Sequence, residues 1–311
     1  MLNEFKNLKE LFQYFDDEAI CRDYLERKRW NGNITCLYCS HTKIYKYRDF
    51  KTYRCAGCKK TFSITKGTIF EKSHIPLSIW FGAIYLYVSH KAAVSSAQIG
   101  KHFGLSQPSA WYLHHRIMQA FKIELDKKVP ETGIWEVDEV YIGPLKHRLS
   151  RTRYRRVKQG TGYIHMTPIL GFVKRGGDLF GEVVPTGADR HVIQPIMKKY
   201  IDPMGQLMTD GGGVYYQLDQ YFLSHEIFIH KNGEYARGES HSNTIEGAFR
   251  HFKDTIRGSY KRLTRKHLQR YWDEFCFRYN NRNISDVAKF ELFFKTINRP
   301  ITYNELVKIK Y

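Results

Sequence analysis

One amphipathic segment, residues 241–257, constrains the fold of this 311-residue chain more than any other stretch. At about 100° per residue, its apolar side chains fall on one side, which predicts a helix packed against a core. Those apolar side chains are Ile245, Phe249, Phe252 and Ile256. A second stripe lies within about 80° of arc beside the first, and its members are Asn243, Glu246, Arg250, Lys253 and Arg257. Taken alone, such a stripe is typical of a solvated, salt-bridged helix face.

Two aspartates upstream suggest a catalytic role for the second stripe. Asp138 lies in the strand-like segment Trp-Glu-Val-Asp-Glu-Val-Tyr-Ile-Gly, and Asp210 ends the segment Leu-Met-Thr-Asp before three glycines. Thirty-five residues separate Asp210 from Glu246, and six separate Glu246 from Lys253. The predicted order is three strands, a helix, a strand, a helix, a strand and the helix of residues 241–257. In that order the first and fourth strands can be neighbours, which would bring Asp138 and Asp210 together beneath Glu246.

Strand periodicity divides the residues around Asp138 between two faces. Asp138 faces one way with Glu136, Val140 and Ile142, whereas Glu139 faces the other. We therefore predict that Glu139 points to the opposite face of the strand and tolerates replacement by glutamine. Three carboxylates at one point repel each other unless cations neutralise them, and such oxygen ligands suit Mg²⁺ or Mn²⁺. Two ions about 3.5–4 Å apart can support in-line displacement at phosphorus.

Four cysteines form a strong metal-binding motif. Cys36-Leu-Tyr-Cys39 and Cys55-Ala-Gly-Cys58 are separated by fifteen residues that include strand-forming side chains, a spacing that suits a tetrahedral zinc ion. Gly57 is predicted to allow the tight turn within the second pair. Because four thiolates leave no open coordination position, we predict a structural zinc ion and not a catalytic one. A chance pairing of free thiols is the alternative.

Residues 93–121 predict a helix-turn-helix. A first helix over residues 93–103 is followed by a turn at Gly104 and by Ser106, an N-cap with proline in the first turn of the next helix. The second helix, residues 107–121, would read DNA, although a purely structural two-helix hairpin shows the same pattern. On this interpretation His114 and His115 lie on the helix surface or near the DNA backbone. The candidate DNA contacts on this helix are Gln107, Ser109, Tyr112 and Arg116.

The charge of the chain points to a polyanionic partner. Fifty Lys and Arg against 31 Asp and Glu give a formal net charge of +19, which favours nucleic acid over an anionic membrane. No segment resembles a signal peptide or a membrane span, so we expect a cytoplasmic protein that associates with the nucleoid through DNA. The basic stretch 146–158 is a candidate for contact with the DNA backbone, with a merely solvated loop as the alternative. Its candidate contacts are Arg151, Arg153, Arg155, Arg156 and Lys158.

These motifs together resemble one family. Asp138, Asp210 and Glu246, with the 35-residue spacing and Lys253 downstream, resemble the D-D-35-E-6-K signature of retroviral-integrase-like DDE transposases. The stretch from His-Ser-Asn-Thr-Ile-Glu-Gly at residue 241 to Arg-Tyr-Asn-Asn-Arg at residue 282 is similar to bacterial insertion-sequence transposases of the ISXO-like group. Those proteins also carry a four-cysteine zinc ribbon before the catalytic domain. The resemblance covers residues 15–290.

The resemblance implies an α/β multidomain protein, in which a zinc ribbon and a helix-turn-helix precede an RNase H-like mixed β-sheet domain with helices. It also implies Mg²⁺- or Mn²⁺-dependent cleavage at transposon ends and joining of the 3′-hydroxyl to target DNA. By this analogy Asp138 would bridge two metal ions, Asp210 would bind one and Glu246 the other, while Lys253 and Arg250 would hold DNA phosphates. The zinc ribbon and helix-turn-helix would bind the terminal inverted repeats. Joining two ends would require a homodimer or a larger synaptic complex.

Two alternatives remain open from the sequence. The segment Asn243-Thr-Ile-Glu246 also matches a capping box, with Asn243 as N-cap and Glu246 reaching back to its amide, so Asn243 is the alternative third ligand. A non-catalytic DNA-binding regulator or domesticated transposase, or a simple RNase H-type nuclease, would share part of the pattern, but the acidic triad favours the transposase.

The predicted segments are N-terminal helices (1–30), the zinc ribbon (31–72), the helix-turn-helix domain (73–128), the catalytic domain (129–285) and a C-terminal helix and tail (286–311).

Overall fold

The computed structural model describes residues 5–49, 51–124, 128–143, 166–184, 188–228, 242–260 and 263–308. The chain divides into two compact units. The first unit comprises Met1–Phe121 and Asn283–Ile309, and the second comprises Lys122–Arg282 with residues 310–311. The C-terminal segment 283–309 therefore belongs to the same unit as the cysteine pairs.

The described helices, in chain order, are α1 (Leu8–Tyr14), α2 (Glu18–Trp30), α3 (Leu77–Ser89), α4 (Ser96–Phe103), α5 (Gln107–Ala120), α6 (Arg190–Tyr200), α7 (Asn243–Thr255), α8 (Leu268–Asn280), α9 (Asp286–Phe294) and α10 (Tyr303–Lys308). The described strands are β1 (Ile44–Lys46), β2 (Thr52–Cys55), β3 (Thr61–Ser63), β4 (Ile134–Ile142), β5 (Thr167–Lys174), β6 (Leu179–Val183), β7 (Gln206–Asp210) and β8 (Ser224–Phe228). No helix within the described ranges has the length and apolar character needed to cross a membrane.

A small antiparallel sheet in the first unit has the order β1-β2-β3. Tyr53 and Phe62 pack from its inner face against Trp30 of α2, with ring centroids 5.5 and 6.2 Å from the Trp30 ring. The Tyr53 hydroxyl also hydrogen-bonds the Glu26 carboxylate. Burying aromatic side chains stabilises a fold by roughly 1.5–3 kcal/mol each, so this sheet is held by α2 as well as by its own short strands.

The segment predicted to form a helix-turn-helix contains two helices joined by a tight turn. α4 begins after a capping box formed by Ser95 and Gln98, three residues later than predicted. Gly104 ends α4 at φ 64°, a left-handed conformation that glycine adopts without steric cost. The Ser106 hydroxyl then accepts a hydrogen bond from the Ser109 backbone and caps α5. The two predicted helices and their glycine turn are confirmed.

α5 is buried on more sides than its sequence predicts. His114 and His115 are 2% and 1% exposed, so the prediction that they lie on the helix surface or near the DNA backbone is wrong. His114 hydrogen-bonds the hydroxyl of Tyr87 on α3. His115 packs edge-on against Trp111, with ring centroids 4.5 Å apart. His114 can be buried here because the neighbouring helix offers it a polar partner inside the core.

A five-stranded mixed sheet with the order β6-β5-β4-β7-β8 forms the base of the second unit. β4, β5 and β6 are antiparallel neighbours, whereas β4 pairs in parallel with β7, and β7 with β8. The first and fourth strands of this unit are therefore neighbours, as predicted. The helices, this mixed sheet and the cysteine cluster of the first unit confirm the predicted α/β fold class.

Helices cover both faces of the five-stranded sheet. Trp135 and Val137 of β4 enter a core cluster with α6 and the segment after β7, whereas Val140 enters a second cluster with α7 and α8. Alternate residues of β4 thus face opposite sides, as the predicted strand register requires. On α7, Ile245 and Phe249 are buried against the second of these clusters, so the predicted apolar stripe is confirmed.

The segment after β7 differs from its prediction. The helix predicted between the fourth and fifth strands of this unit does not form, and the segment contains two single 3₁₀ turns, Gly213–Tyr215 and Leu218–Gln220. Gln217 lies between the turns at φ 62°, a left-handed conformation that a continuous right-handed helix cannot contain. Tyr215 and Leu218 are nevertheless buried in the core. Their burial shows that tertiary packing accounts for the apolar pattern that the sequence presents as helical.

Candidate active site

Acidic side chains converge where two parallel strands lie side by side. β4 and β7 pair with Glu136 beside Met208, and Asp138 and Asp210 follow two residues later on their strands. Carboxylate oxygens of Asp138, Glu139 and Asp210 all lie within 4.8 Å of one another. Burial, followed by the charges of Asp210 and Glu139, raises the pKa of Asp138 to about 8. The predicted juxtaposition of Asp138 and Asp210 is observed.

Local hydrogen bonds orient both aspartates. The Glu139 backbone N–H donates to Asp138 Oδ1 at 2.7 Å, and the Gly212 backbone N–H donates to Asp210 Oδ1 at 2.9 Å. A Cβ atom at position 212 would lie only 2.9 Å from the same Asp210 oxygen. The glycine at 212 therefore allows the chain to turn tightly behind the carboxylate.

Glu139 belongs to this acidic cluster although it lies on the opposite face of β4 from Asp138, as predicted. Its side chain interacts with Tyr215, on the other face of β4 from Asp138, yet its carboxylate is among the three that converge. The two faces can meet because β7 ends at Asp210 whereas β4 continues to Ile142. Burial raises the pKa of Glu139 to about 7, and Asp210 adds to the effect. Glu139 Oε1 is buried and has no hydrogen-bond partner among the described residues.

α7 approaches the sheet closely beside Asp138. Gly171 of β5 is the direct cross-strand neighbour of Asp138, and a Cβ atom there would lie 2.7 Å from the ring of Phe249. The absence of a side chain at this position lets α7 lie against the strand that carries the acids. The charge of Glu246 on α7 is close enough to contribute to the raised pKa of Asp138.

A buried carboxylate joins β4 to the first turn of α7. Glu136 is fully buried and accepts hydrogen bonds from the backbone N–H groups of Thr244 at 2.9 Å and Ile245 at 3.1 Å. It also accepts from the Thr244 hydroxyl at 2.9 Å and from Arg175 Nε at 3.2 Å. A carboxylate at a helix N-terminus satisfies free N–H groups and favours the helix dipole. Glu136 therefore fixes where α7 begins relative to Asp138, a role that sequence reasoning missed.

The capping arrangement proposed for α7 is not observed. The N-cap is Ser242 rather than Asn243, which is the exposed first residue of the helix. The Ser242 hydroxyl donates to Glu246 Oε1 at 2.8 Å. Glu246 is not among the three carboxylates within 4.8 Å of one another, so in this structure it lies near the acidic cluster with one oxygen bonded to Ser242.

The predicted DNA-contacting cations of α7 lie on its exposed side. Arg250 and Lys253 are both exposed, and neither forms an ion pair with another residue in the part of the chain that the structure describes. The basic stretch that contains Arg151, Arg153, Arg155, Arg156 and Lys158 lies outside the described residues.

On α5 the structure separates the four predicted DNA contacts into two groups. Gln107 and Ser109 are exposed at its N-terminus. Arg116 is only 3% exposed, donates to the Glu71 carbonyl at 2.6 Å and lies over the rings of Trp80 and Tyr112. The Tyr112 hydroxyl donates to the Ile301 carbonyl at 2.9 Å. Arg116 and Tyr112 are thus engaged in packing, because the C-terminal segment and α3 cover their side of α5.

The four cysteines form a second candidate metal site, in the first unit. Their four Sγ atoms all lie within 4.8 Å of one another. The Sγ atoms of Cys36 and Cys58 are 3.6 Å apart, as are those of Cys39 and Cys55. Backbone N–H groups of Tyr38 and Gly57 point at sulfur atoms, at 3.4 and 3.3 Å. Four thiols at tetrahedral spacing with N–H donors are typical of a structural zinc site.

Both cysteine turns have the same backbone geometry. The N–H of Cys36 donates to the His41 carbonyl and that of Cys55 to the Lys60 carbonyl, five residues further on in each case. The left-handed residues of these turns are Ser40 and Lys59, at φ 58° and 62°. Gly57 has no left-handed φ, so Lys59 and not the glycine supplies the left-handed conformation of the second turn. A Cβ at Gly57 would lie 3.2 Å from the ring of His41, a tight contact with an exposed side chain.

Loss of one cysteine is expected to abolish zinc binding. Cys55→Ser removes one of four ligands, and structural zinc contributes about 10–16 kcal/mol to small zinc-dependent folds. Metal analysis should find one zinc per chain in the parent protein and none in the variant. Limited proteolysis should then cut the variant between residues 36 and 63. Cys21→Ala, which removes a buried thiol of α2 outside the cluster, should keep its zinc. A zinc-free parent protein purified without chelator would contradict the assignment.

The acidic cluster predicts a pH-dependent stabilisation by magnesium. The folded protein binds protons at Asp138 and Glu139 more tightly than the unfolded chain does, since their pKa values rise to about 8 and about 7. Without a divalent cation, the stability contributed by these protonated groups is fully present below pH of about 4, the unfolded pKa. It is lost as pH rises towards 8. Magnesium at about ten times its Kd should add about 1.4 kcal/mol, or roughly 3–6 °C in Tm, at pH 8.

Thermal unfolding in magnesium-free buffer, with and without MgCl₂ at matched ionic strength, measures this effect. The Tm increase should be much smaller at pH 5.5, where protons compete for the carboxylates. Asp138→Asn should reduce both the magnesium effect and the loss of stability at high pH. An equal Tm increase at both pH values in the parent protein would show that magnesium binds elsewhere.

Comparisons with known proteins agree with this geometry. Residues 132–280 match the family model described as ISXO2-like transposase domain, and residues 16–61 match the one described as transposase zinc-ribbon domain. The chain is also 28% identical over 243 residues to a protein of Halobacterium salinarum described as an uncharacterized protein in transposable element ISH50. That match covers 75% of this chain and 81% of the relative. Because the two family models span the acidic cluster and the cysteine cluster respectively, the chain belongs to the ISXO2-like transposases of insertion sequences.

Proposed function

We propose that this transposase cleaves the 3′ ends of its insertion sequence and joins them to target DNA at the cluster of Asp138 and Asp210. The observation that carries the proposal is the convergence of these carboxylates on neighbouring parallel strands, with α7 lying beside them. In the cleavage step water attacks the phosphorus atom and the bond to the 3′-oxygen breaks. In the joining step the freed 3′-hydroxyl attacks a target phosphate, whose own 3′-oxygen leaves.

The residues at this site fit divalent cations. Three carboxylates within 4.8 Å of one another, with a buried oxygen of Glu139 that has no partner among the described residues, form a hard oxygen-ligand set. When bound, Mg²⁺ or Mn²⁺ ions activate the attacking oxygen and stabilise the leaving one. Asp138 and Asp210 would hold them, and Glu246 would complete the set by leaving its hydrogen bond to Ser242.

Cationic residues around the site would hold the DNA. Arg250 and Lys253 extend from the exposed side of the helix that carries Glu246, so a phosphate bound by them would lie beside the acids. The basic stretch with Arg151, Arg153, Arg155, Arg156 and Lys158 would also bind the DNA backbone. Each cation that binds a phosphate and is neutralised by mutation should flatten the log–log salt dependence of binding by about 0.9.

The first unit would recognise the transposon ends. The zinc ribbon carries a net positive charge. Gln107 and Ser109 lie at the exposed N-terminus of α5, the end of a recognition helix that contacts base edges. Two ends must be brought together before both are joined to one target. We therefore propose a homodimer or a larger synaptic complex as the active form.

A strand-transfer assay with purified protein tests the proposal. The substrates are a labelled duplex that carries the end of the element, the same duplex with a scrambled end, and a target plasmid, each with and without Mg²⁺. A transposase nicks only the true end and produces joined product. A DNA-binding regulator would bind the true end without nicking it in Mg²⁺ or Mn²⁺. A simple nuclease would cut the scrambled duplex equally well and produce no joined product.

A further inference from the structure

The small sheet of the first unit has one exposed face with an unusual set of side chains. Tyr45 of β1 is the cross-strand neighbour of Arg54 on β2, which in turn neighbours Thr61 on β3. Because cross-strand neighbours project to the same side of a sheet, these three residues share a face. Lys43 and Tyr47 lie one residue beyond the two ends of β1, where backbone hydrogen bonds with Ala56 and Thr52 continue the pairing. Because side chains alternate along a strand, both residues extend this face. We call the face formed by Lys43, Tyr45, Tyr47, Arg54 and Thr61 the outer ribbon face.

The outer ribbon face is exposed because the opposite face is the one that packs. Tyr53 and Phe62 lie on that inner face and are buried against α2. In contrast, Tyr45 and Tyr47 are 55% and 43% exposed. No ring contact of either tyrosine and no ion pair of Arg54 or Lys43 occurs within the described part of the chain. Two large rings thus face solvent, flanked by two cations. The carboxylate of Asp49 lies at one end of the face, where it accepts hydrogen bonds from the Thr52 hydroxyl and from the backbone N–H groups of Lys51 and Thr52.

The charge around this face is strongly positive. Residues 31–66 contain eight Lys and Arg and one acid, Asp49. A zinc ion held by four thiolates carries a net charge of about −2, which leaves the segment clearly cationic. Such a surface attracts the phosphates of nucleic acid, and charge complementarity therefore favours nucleic acid over another copy of this basic chain.

Exposed rings on a flat sheet distinguish between two forms of DNA. In a duplex the faces of the bases are stacked on each other, so a protein meets only base edges and phosphates. Unpaired bases offer their faces, and proteins that bind single strands combine aromatic stacking platforms with a positively charged groove. The tyrosine rings would have no base face to contact in an intact duplex.

We propose that the outer ribbon face binds unpaired nucleotides, with Tyr45 and Tyr47 stacking on bases and with Arg54 and Lys43 contacting phosphates. The inference rests on the proposed function, since strand cleavage and joining at the ends of the element are the steps that would present unpaired nucleotides to the first unit. It assigns to the zinc ribbon a contact with separated strands, in addition to any contact with duplex DNA.

The test is binding of the full-length, zinc-loaded protein to three fluorescent probes. These are an oligothymidine of about 12 nucleotides, within the site size of single-strand binders, a blunt duplex, and that duplex with unpaired thymines at one 3′ end. The double variant Tyr45→Ser/Tyr47→Ser should bind oligothymidine and the tailed duplex at least about 30-fold more weakly, as expected when two base–ring stacks are removed. Its affinity for the blunt duplex should change by less than about threefold.

Matched variants keep the proposal falsifiable. Tyr45→Phe/Tyr47→Phe retains both rings and should bind like the parent protein. Tyr38→Ser removes an exposed tyrosine of the first cysteine turn, which lies towards Phe62 of the inner face, and should have little effect. Zinc content, measured for every variant, establishes that the ribbon remains folded.

Three results would overturn the proposal. The first is an equal loss of affinity of the serine variant for all three probes, and the second is a loss of binding by the phenylalanine variant. The third is a change of the serine variant from oligomer to monomer in sedimentation, which would identify the face as an interface between copies.

None of these measurements requires cleavage. A protein that binds unpaired DNA through this face but neither nicks nor joins would refute only the proposed function. One that transposes with unchanged single-strand binding in the serine variant would refute only the role of the outer ribbon face.

Discussion

Replacing Asp138 or Asp210 with asparagine is expected to abolish nicking and strand transfer while DNA binding is kept. The two carboxylates occupy neighbouring positions on β4 and β7, and a neutral amide at either place removes one charge from the set that would hold divalent cations. Such ions are worth several kcal/mol of transition-state stabilisation, so the rate of nicking should fall by about 10³-fold or more.

The fold should survive these replacements. Asparagine keeps an oxygen that can accept the hydrogen bonds from the backbone N–H groups of Glu139 and Gly212. Removal of a charge from a buried acidic cluster should even raise the Tm of the magnesium-free protein at pH 8. Asp219→Asn, at an exposed position of the same unit, is the control and should nick at the parental rate. Full activity of Asp138→Asn or Asp210→Asn would remove the acidic cluster from the mechanism.

The cluster also leads to an expectation for Glu139 that differs from the one based on strand periodicity. Because its carboxylate lies with those of Asp138 and Asp210, Glu139→Gln should weaken magnesium binding in the thermal-unfolding measurement. Its effect on nicking should be smaller than that of Asp138→Asn, since Glu139 reaches the cluster from the opposite face of the strand.

Glu246→Gln is expected to reduce joining by about 10²–10³-fold, the scale of a lost metal ligand, whereas Asn243→Ala should leave measurable activity. Glu246 is the half-buried carboxylate of α7 whose charge reaches Asp138, while Asn243 is exposed. The glutamine amide oxygen can still accept the hydrogen bond from Ser242, so helix stability should change little. Because Asn243 is not the N-cap, its loss should cost less than the ~1 kcal/mol of a capping residue.

Ser242→Ala separates the structural role of Glu246 from its catalytic role. This variant removes the hydroxyl that donates to Glu246 Oε1, so it should lower the Tm slightly and keep strand transfer. Asp254→Asn, at an exposed carboxylate further along the same helix, is the second control. A dead Asn243→Ala variant together with an active Glu246→Gln variant would reverse the assignment of the third residue.

The sequence by itself determined the features that depend on nearby residues. The spacing of Cys36, Cys39, Cys55 and Cys58 predicted a cluster that the structure shows, because each turn brings two thiols together through local backbone geometry. Alternation along β4 and the 3.6-residue period of α7 identified which side chains are buried. The neighbouring positions of the first and fourth strands of the second unit followed from the order of the elements.

Only the tertiary structure decided the features that depend on residues far apart in the chain. The alternation of side chains along β4 predicted Glu139 on the opposite face from Asp138. Because β7 ends at Asp210, the carboxylates from both faces of β4 nevertheless come together there. Arginine is a residue type typical of DNA contacts, yet the Glu71 carbonyl accepts the hydrogen bond of Arg116 inside the core. The position of α7 depends on Glu136, which binds Thr244 more than 100 residues away. A local pattern specifies which face of an element is apolar, but the partners that cover it, and the polar groups that become buried with it, are set by long-range packing.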